Sequence, residues 1–370
     1  MAALLAGHAT PDGTRRLAER HAAIRDHGGY RDHAGHHLST VGIGTYLGET
    51  DRETQERYAR AIATGLASGI NVVDTAINYR HTLSERAVRD AVTAGVEEGA
   101  IARDEVFVST KGGYLAYDAT VADPREALQE MYFRSGILTP QNFVANCHSL
   151  DPAYLASELD RSRRHLGLET VDLYYLHNPG TQAAAVDREV LLGRIQAAFR
   201  MLEDAAADGK IVSYGLATWN ELRVPPDADD HIPLQTVVAL AEAAAEDAGH
   251  DAHRFRAVQA PLNLAMAEAM RTPTQAVDGG PVTLLEACRR LGLGFFSSAS
   301  ILQGRLAKGL PGEVRTKVPG IEDPAMVALQ ATRSAPGLTT ALVGMSRIGH
   351  VESAIGLLRE HRPDADAVWS

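Results

Sequence analysis

Cysteine is scarce in this chain. Cys147 and Cys288 are the only two in 370 residues, far too few for the disulfide framework of a small secreted protein. No apolar run is long enough to cross a bilayer. The opening residues 1–6, Met-Ala-Ala-Leu-Leu-Ala, lack the basic region and long apolar core of a secretory signal. Positive charge is also in deficit, with 36 Lys and Arg against 47 Asp and Glu and a formal net charge of −11. That balance argues against nucleic acid or an anionic membrane surface as the main partner. An anionic ligand would have to be met by a local basic cluster. The expectation is a soluble cytoplasmic protein.

What is present is enough apolar sequence, 45% of the chain, for a sizeable core. Residues 1–37 carry His33, His36 and His37 but no sustained apolar period, and read as a solvated N-terminal extension. From Leu38 a repeating pattern begins. Leu38 to Tyr46 reads as a strand ending in glycines, followed by a possible capping box at Thr50 and Glu53 and a helix with Tyr58, Ile62 and Leu66 on one face. The next strand, residues 70–74, ends at Asp74. Further strands are expected at 106–111, 171–176, 211–216, around 257–259, at 294–298 and at 340–344, with a helical stripe between each pair. Asp151-Pro152 is a good N-cap and first-turn pair for one of those helices.

Eight strands alternating with helices imply an α/β protein with a parallel sheet, and eight such units suit a closed (β/α)8 TIM barrel spanning residues 38–370. A doubly wound sheet is the alternative. No Gly-x-Gly-x-x-Gly follows a strand, which counts against its dinucleotide-binding form. Residues 112–150 do not fit the repeat. This long insert, with Tyr114, Tyr117, Met131, Tyr132 and Phe133, leaves the C-terminal end of a strand and should overhang the barrel mouth.

Four polar side chains fall at or just past strand ends: Asp74, Tyr79, Lys111 and His177. Each alone has a bland reading, as a turn residue, a rim packing residue, a solvated lysine or a turn histidine. On consecutive strands of one rim, where barrel enzymes keep their active sites, they suggest proton chemistry. A free tyrosine titrates near ~10, and a neighbouring ammonium makes it a better acid while a carboxylate keeps that ammonium charged.

This set resembles the Asp–Tyr–Lys–His tetrad of the aldo-keto reductase superfamily, and the residues around it are similar as well. Asp74-Thr75-Ala76 with Tyr79 resembles the family's DTA signature, and Val41-Gly42-Ile43-Gly44-Thr45-Tyr46 its first strand. Leu166 to His177 resembles the segment carrying its histidine, Gly209 to Leu216 its fifth strand, and Gln259 the glutamine that holds a nicotinamide carboxamide. The resemblance implies an oxidoreductase that reduces an aldehyde or ketone, or runs the reverse reaction. Tyr79 would be general acid, Lys111 and Asp74 would tune it, and His177 would orient the carbonyl. It implies NADPH, with NADH less favoured. The cofactor would lie along Gly44, Thr45, Tyr46, Asp74, Thr218, Gln259 and Ser298, with Leu302-Gln303-Gly304-Arg305 at the pyrophosphate and Gly344, Ser346, Arg347 and His350 toward the adenosine. Arg347, just before a helix, suits a 2′-phosphate; a plain surface arginine is the other reading. Tyr114 and Trp219 are the candidate substrate contacts, with packing as their alternative.

The resemblance breaks at three places. Ala217-Thr218 stands where the family usually has Ser-Asn, Ser298 where it has an aromatic, and Ser353-Ala354 where it has Glu-Asn. Each removes a cofactor contact without creating a clash. Two further functions therefore stay open: a non-redox lyase or epimerase using the same proton-transfer groups, and a nicotinamide-binding regulatory module of the kind found in potassium-channel β subunits. The sequence names neither the substrate nor the oligomeric state, and the His33, His36 and His37 cluster, without a nearby Cys or carboxylate set, reads as solvated leader rather than a metal site.

Overall fold

The computed structural model describes residues 3–369; residues 1 and 2 of the expected extension and residue 370 of the expected barrel unit lie outside it. Eight parallel strands close into a barrel. In chain order they are β1 (Val41–Gly44), β2 (Val72–Asp74), β3 (Phe107–Gly112), β4 (Val171–His177), β5 (Ile211–Ala217), β6 (Phe255–Pro261), β7 (Gly294–Ser298) and β8 (Leu338–Gly344). Each is followed by a helix: α1 (Arg52–Ala67), α2 (Leu83–Glu97), α3 (Pro152–Leu166), α4 (Arg188–Ala207), α5 (Leu234–Asp247), α6 (Leu284–Arg290), α7 (Pro324–Ser334) and α8 (Ile348–Leu358). The expected (β/α)8 architecture is the observed one.

The period of two along each strand creates two cores. Outward residues such as Ile43, Val73, Val108, Tyr174 and Val258 pack against the inner faces of the helices. Inward residues Val72, Phe107, Leu173, Tyr175, Ala257, Phe296 and Leu342 fill the barrel. Gly215 makes room for this packing, because a Cβ there would meet the Ala257 carbonyl at 2.4 Å and the Tyr175 ring at 2.9 Å. Helix starts follow their caps: Asp151 accepts from the amides of Ala153 and Tyr154, with Pro152 in the first turn.

Three local expectations need correction. The first strand does not begin at Leu38. Leu38 belongs to an antiparallel hairpin, Tyr30–His33 against His36–Ser39, and β1 starts afresh at Val41. The cap of α1 is Asp51 rather than Thr50, its carboxylate accepting from the Thr54 amide. The leader is folded, not solvated. A helix over Pro11–Arg20 and the hairpin close the bottom of the barrel. Ala9 and Leu38 join the interior core, and the His33 and His36 rings stand edge-on to Phe296 and Phe107, with centroids 6.1 and 5.9 Å apart. The helix buries only Leu17 and Ala18 as apolar side chains in an otherwise polar stretch, the hairpin strands are four residues each, and imidazole rings packed on aromatic rings carry no hydropathy signal.

Candidate active site

The inward alternation that fills the barrel also lifts polar groups to its C-terminal rim. On β3 it runs Phe107, Ser109, Lys111; on β4, Leu173, Tyr175, His177; on β6, Ala257, Gln259; on β7, Phe296, Ser298. Asp74 ends β2 one layer below the rim. Its Oδ2 accepts from Lys111 Nζ at 2.6 Å, and its Oδ1 accepts from Ser109 Oγ at 2.8 Å and Gln259 Nε2 at 2.9 Å. Lys111, with no exposed surface, also donates to the Thr75 carbonyl at 2.8 Å. Thr75 stands in the sequence only as the middle of the DTA signature, and Ser109 belongs to no motif. The signal for Ser109 was its place two residues before Lys111, hence on the same strand face.

The chain then turns sharply to present Tyr79. The Tyr79 amide donates to the Ala76 carbonyl at 3.0 Å, and Arg80, His81 and Thr82 follow with φ of +48°, +51° and +72°. Non-glycine residues in the left-handed region cost about 1–3 kcal/mol each, so the surrounding packing must hold this loop. Arg80 does part of that, donating to the Glu49 carbonyl at 2.9 Å and lying 4.9 Å from the Tyr58 ring centre. The Lys111 ammonium sits 4.8 Å from the centre of the Tyr79 ring. The His177 ring is 5.9 Å from it, nearly perpendicular, and the Tyr46 ring 4.9 Å. The four expected residues are thus brought together.

Burial raises the pKa of the Tyr79 phenol, with the Lys111 ammonium pulling the other way. Burial also acts to neutralise Lys111, but Asp74 and Tyr79 beside it more than offset this and raise its pKa. His177 is held well below the usual imidazole range, first by burial and then by the Lys111 charge. At neutral pH the site therefore holds a protonated phenol, an ammonium and a neutral imidazole. Such a set can give a proton to a developing alkoxide.

A cavity of about 700 Å³ opens above these groups. From β1 it takes Gly44, Thr45 and Tyr46; from the β2 end Asp74, Asn78 and Tyr79; from β5 and β6 Ala217, Thr218, Trp219 and Gln259. Ser298, Gln303 and Gly304 follow β7, and Gly344 and His350 follow β8. Of the expected cofactor residues, Leu302, Arg305, Ser346 and Arg347 lie outside this lining. Arg305 and Arg347 are exposed on the rim, with Arg347 at the N-cap of α8. Both candidate substrate residues line the cavity. Trp219 is held over the mouth by Glu221, which accepts from the amides of Trp219, Asn220 and, across from the loop after β4, Gly180. Of the 112–150 insert, Tyr114 is the residue in the lining. Tyr132 instead turns inward, its one hydroxyl proton lying between the Ala116 carbonyl at 2.9 Å and Glu158 of α3 at 3.0 Å. Asn78, Asn178, Asp323, Met326 and Ser353 also line the cavity, and no sequence motif marked the first four.

The groups that could hold a nicotinamide dinucleotide fit it in kind. Buried polar atoms on the lining, Thr218 Oγ1 and His177 Nδ1, have no hydrogen-bond partner among the described residues, and neither does Asn78 Oδ1. Glycines 304 and 344 leave open space where side chains would stand. Arg305 and Arg347 supply the positive charge that the lining itself lacks. The fold and site together are those of a closed (β/α)8 barrel with a buried Lys–Asp pair beneath a rim tyrosine and an open cavity above it.

Comparison with known proteins identifies the family of this barrel. The model of the "Aldo/keto reductase family" matches residues 40–240, over half of the chain. The chain belongs to the aldo/keto reductase family. It is 23% identical over 189 residues to the "Uncharacterized oxidoreductase YtbE" of Bacillus subtilis, covering 50% of this chain and 49% of that protein. It is 24% identical over 145 residues to "Prostaglandin F synthase 1" of Bos taurus, covering 39% and 33%. The chain thus spans about half, or less, of the length of the curated relatives it matches. Among solved structures, the aldo-keto reductase AKR11C1 of Bacillus halodurans (holo form) superposes with a TM-score of 0.61 at 17% identity over 92% of this chain and 94% of that one. An aldo/keto reductase of Klebsiella pneumoniae, crystallised with NADP and acetate, gives 0.57 at 18% identity over 88% and 87%. At these identities the structural likeness is one of fold. No helix among the described residues is long and apolar enough to cross a membrane.

Proposed function

We propose that this protein is an NADPH-dependent oxidoreductase that reduces an aldehyde or ketone to an alcohol, or runs the reverse reaction. The observation that carries this reading is the buried Lys111–Asp74 pair, 2.6 Å apart, packed under Tyr79 at the floor of the cavity. The family membership and the NADP bound in the Klebsiella structure support the choice of cofactor. Reduced nicotinamide, when bound, supplies a hydride.

The chain's own residues do the rest. Gln259, Thr218 and the β1 end would border the nicotinamide, and Arg305 and Arg347 would meet the phosphates. Tyr79 holds the proton. As the carbonyl carbon takes up hydride, its oxygen gains the charge of an alkoxide and the Tyr79 proton passes to it. The charged Lys111 stabilises the phenolate left behind, and Asp74 keeps Lys111 charged and in place. Neutral His177, on the adjacent strand end, orients the carbonyl without competing for the proton. Trp219 and Tyr114 form the substrate side of the mouth. We further propose a cytoplasmic site of action, in keeping with the two unpaired cysteines.

The test is oxidation of NADPH with a panel of aldehydes and ketones, alongside quenching of Trp219 fluorescence by the cofactor. Turnover with quenching supports the reading. Quenching without turnover of any carbonyl would point to a nicotinamide-binding module. Proton exchange or elimination in the absence of cofactor would point to a non-redox enzyme.

A further inference from the structure

The insert after β3 returns to the barrel at His148, and what it does there was not foreseen from the sequence. His148 is fully buried, and its Nε2 lies 2.7 Å from the backbone carbonyl oxygen of His177. Its Nδ1 lies 2.8 Å from Nε2 of Gln182, in the short turn Pro179–Ala184 that follows β4. The carboxamide oxygen of Gln182 accepts from the Arg194 guanidinium of α4, which also donates to the Gln141 carbonyl of the insert at 3.0 Å.

These contacts fix the direction of every proton in the relay. Arginine can only donate, so the Gln182 oxygen must face Arg194 and its NH2 must face His148. Nδ1 of His148 must then accept, and the ring proton must sit on Nε2, aimed at the His177 carbonyl. One imidazole tautomer is selected by a charged residue two hydrogen bonds away.

The packing around the contact is equally constrained. Gly113 has φ +147°, and a Cβ on it would come within 2.7 Å of His148 Nε2 and 2.8 Å of the His177 oxygen. Only glycine leaves the two groups in reach of each other. The Tyr114 ring stands edge-on to both histidines, 5.0 Å from each. The next residue after His177, Asn178, is in the left-handed region at φ +48°. Its amide donates to the Ala217 carbonyl at 2.6 Å, and its side-chain amide donates to the Tyr114 hydroxyl at 3.3 Å.

We propose that His148 is a positioning residue for the reaction: its Nε2–H pins the His177 carbonyl and thereby sets the peptide plane, and with it the ring orientation, of the imidazole at the cavity floor. This inference rests on the carbonyl-reducing reading of the site. It gives the insert a role in catalysis from behind β4 in addition to what Tyr114 contributes to the mouth. It also makes the Arg194–Gln182 pair on the barrel flank part of the same device.

The test compares His148→Ala, His148→Gln and Gln182→Leu in the full chain. Glutamine carries an NH2 group at about the reach of Nε2, so it can restore the donation. For a carbonyl that the wild type reduces, kcat at saturating NADPH should fall at least about 10-fold in His148→Ala, recover most of the way in His148→Gln and be intermediate in Gln182→Leu. Cofactor affinity, read from Trp219 quenching, should stay within about two-fold throughout. A second readout needs no turnover. In protein labelled with 15N-histidine, His148 should show a protonated Nε2 and bare Nδ1, and the His177 ring resonances should move in His148→Ala and return in His148→Gln.

A kcat unchanged in His148→Ala, a glutamine variant as impaired as the alanine one, or a bare Nε2 in the wild type would each overturn the proposal. If the wild type reduces no carbonyl, the reductase reading fails by itself. The movement and return of the His177 resonances then still decide whether His148 positions that ring.

Discussion

Replacing Asp74 by asparagine removes one charge from the floor of the site while keeping nearly the same shape, and its effect can be worked from the contacts. The carboxylate accepts three hydrogen bonds, from Lys111, Ser109 and Gln259. The Ser109 hydroxyl can rotate and the Gln259 amide can turn over to accept from the NH2 of the introduced asparagine, so those two contacts survive in reversed sense. What is lost is the charge opposite a wholly buried ammonium. At this separation the bare attraction is about 6 kcal/mol at an effective dielectric constant near 20, and breaking a buried pair typically costs about 3–5 kcal/mol once desolvation is counted. The survival of the neutral hydrogen bonds puts the expected loss at the lower end, about 3 kcal/mol, measured as a shift in the urea midpoint at constant slope. Lys111 is held charged against its burial chiefly by Asp74. In Asp74→Asn it should lose its proton at lower pH, and the alkaline limb of the reduction rate should move down in pH. With the phenol no longer tuned, kcat should fall by about 10²–10⁴. A variant within about 1 kcal/mol of wild-type stability, with an unshifted alkaline limb, would refute this account of the pair.

Other consequences are more compact. Because His177 is neutral well below its usual range and Tyr79 stays protonated, kcat/KM for reduction should show no step near pH ~6.5, where a free histidine titrates; a histidine-like step there would mean that His177 works as a cation. Arg347→Ala should weaken NADPH by roughly 10–100-fold, as expected for a charge-assisted phosphate contact, and leave NADH nearly unchanged in a titration of both. Acid should destabilise the fold through His148 and His33, each brought down by burial to about 4. Both stay neutral when folded but take a proton near pH ~6.5 when unfolded, so their stabilisation is complete above that value and is lost as pH falls toward 4. Each contributes up to about 3 kcal/mol, and His33→Gln should remove its own share of the loss in a pH series of urea melts, leaving the shares of His148 and of the likewise depressed His177.

The barrel was legible because strand and helix periods alternate without a break from β1 to α8, and because a polar residue at a strand end stands out against an apolar run. Asp74, Lys111 and His177 were visible for that reason. The folded leader was not, since its helix buries only Leu17 and Ala18 as apolar side chains and its histidines look solvated until Phe107 and Phe296 are seen beneath them. The α1 cap was misplaced by one residue because Thr50 and Asp51 suit the position equally well by composition. His148 had no signal at all. It lies in an irregular return segment, and its meaning comes from Gly113, Gln182 and Arg194, which only the fold brings together.

Tyr79 gives the proton to the carbonyl while other groups hold the cofactor. Tyr79→Phe keeps the ring that packs against Lys111 and Tyr46 and removes the hydroxyl alone. This variant should bind NADPH as tightly as the wild type, by Trp219 quenching, while kcat for aldehyde reduction falls by at least about 10². Retention of wild-type kcat with the cofactor bound would contradict it.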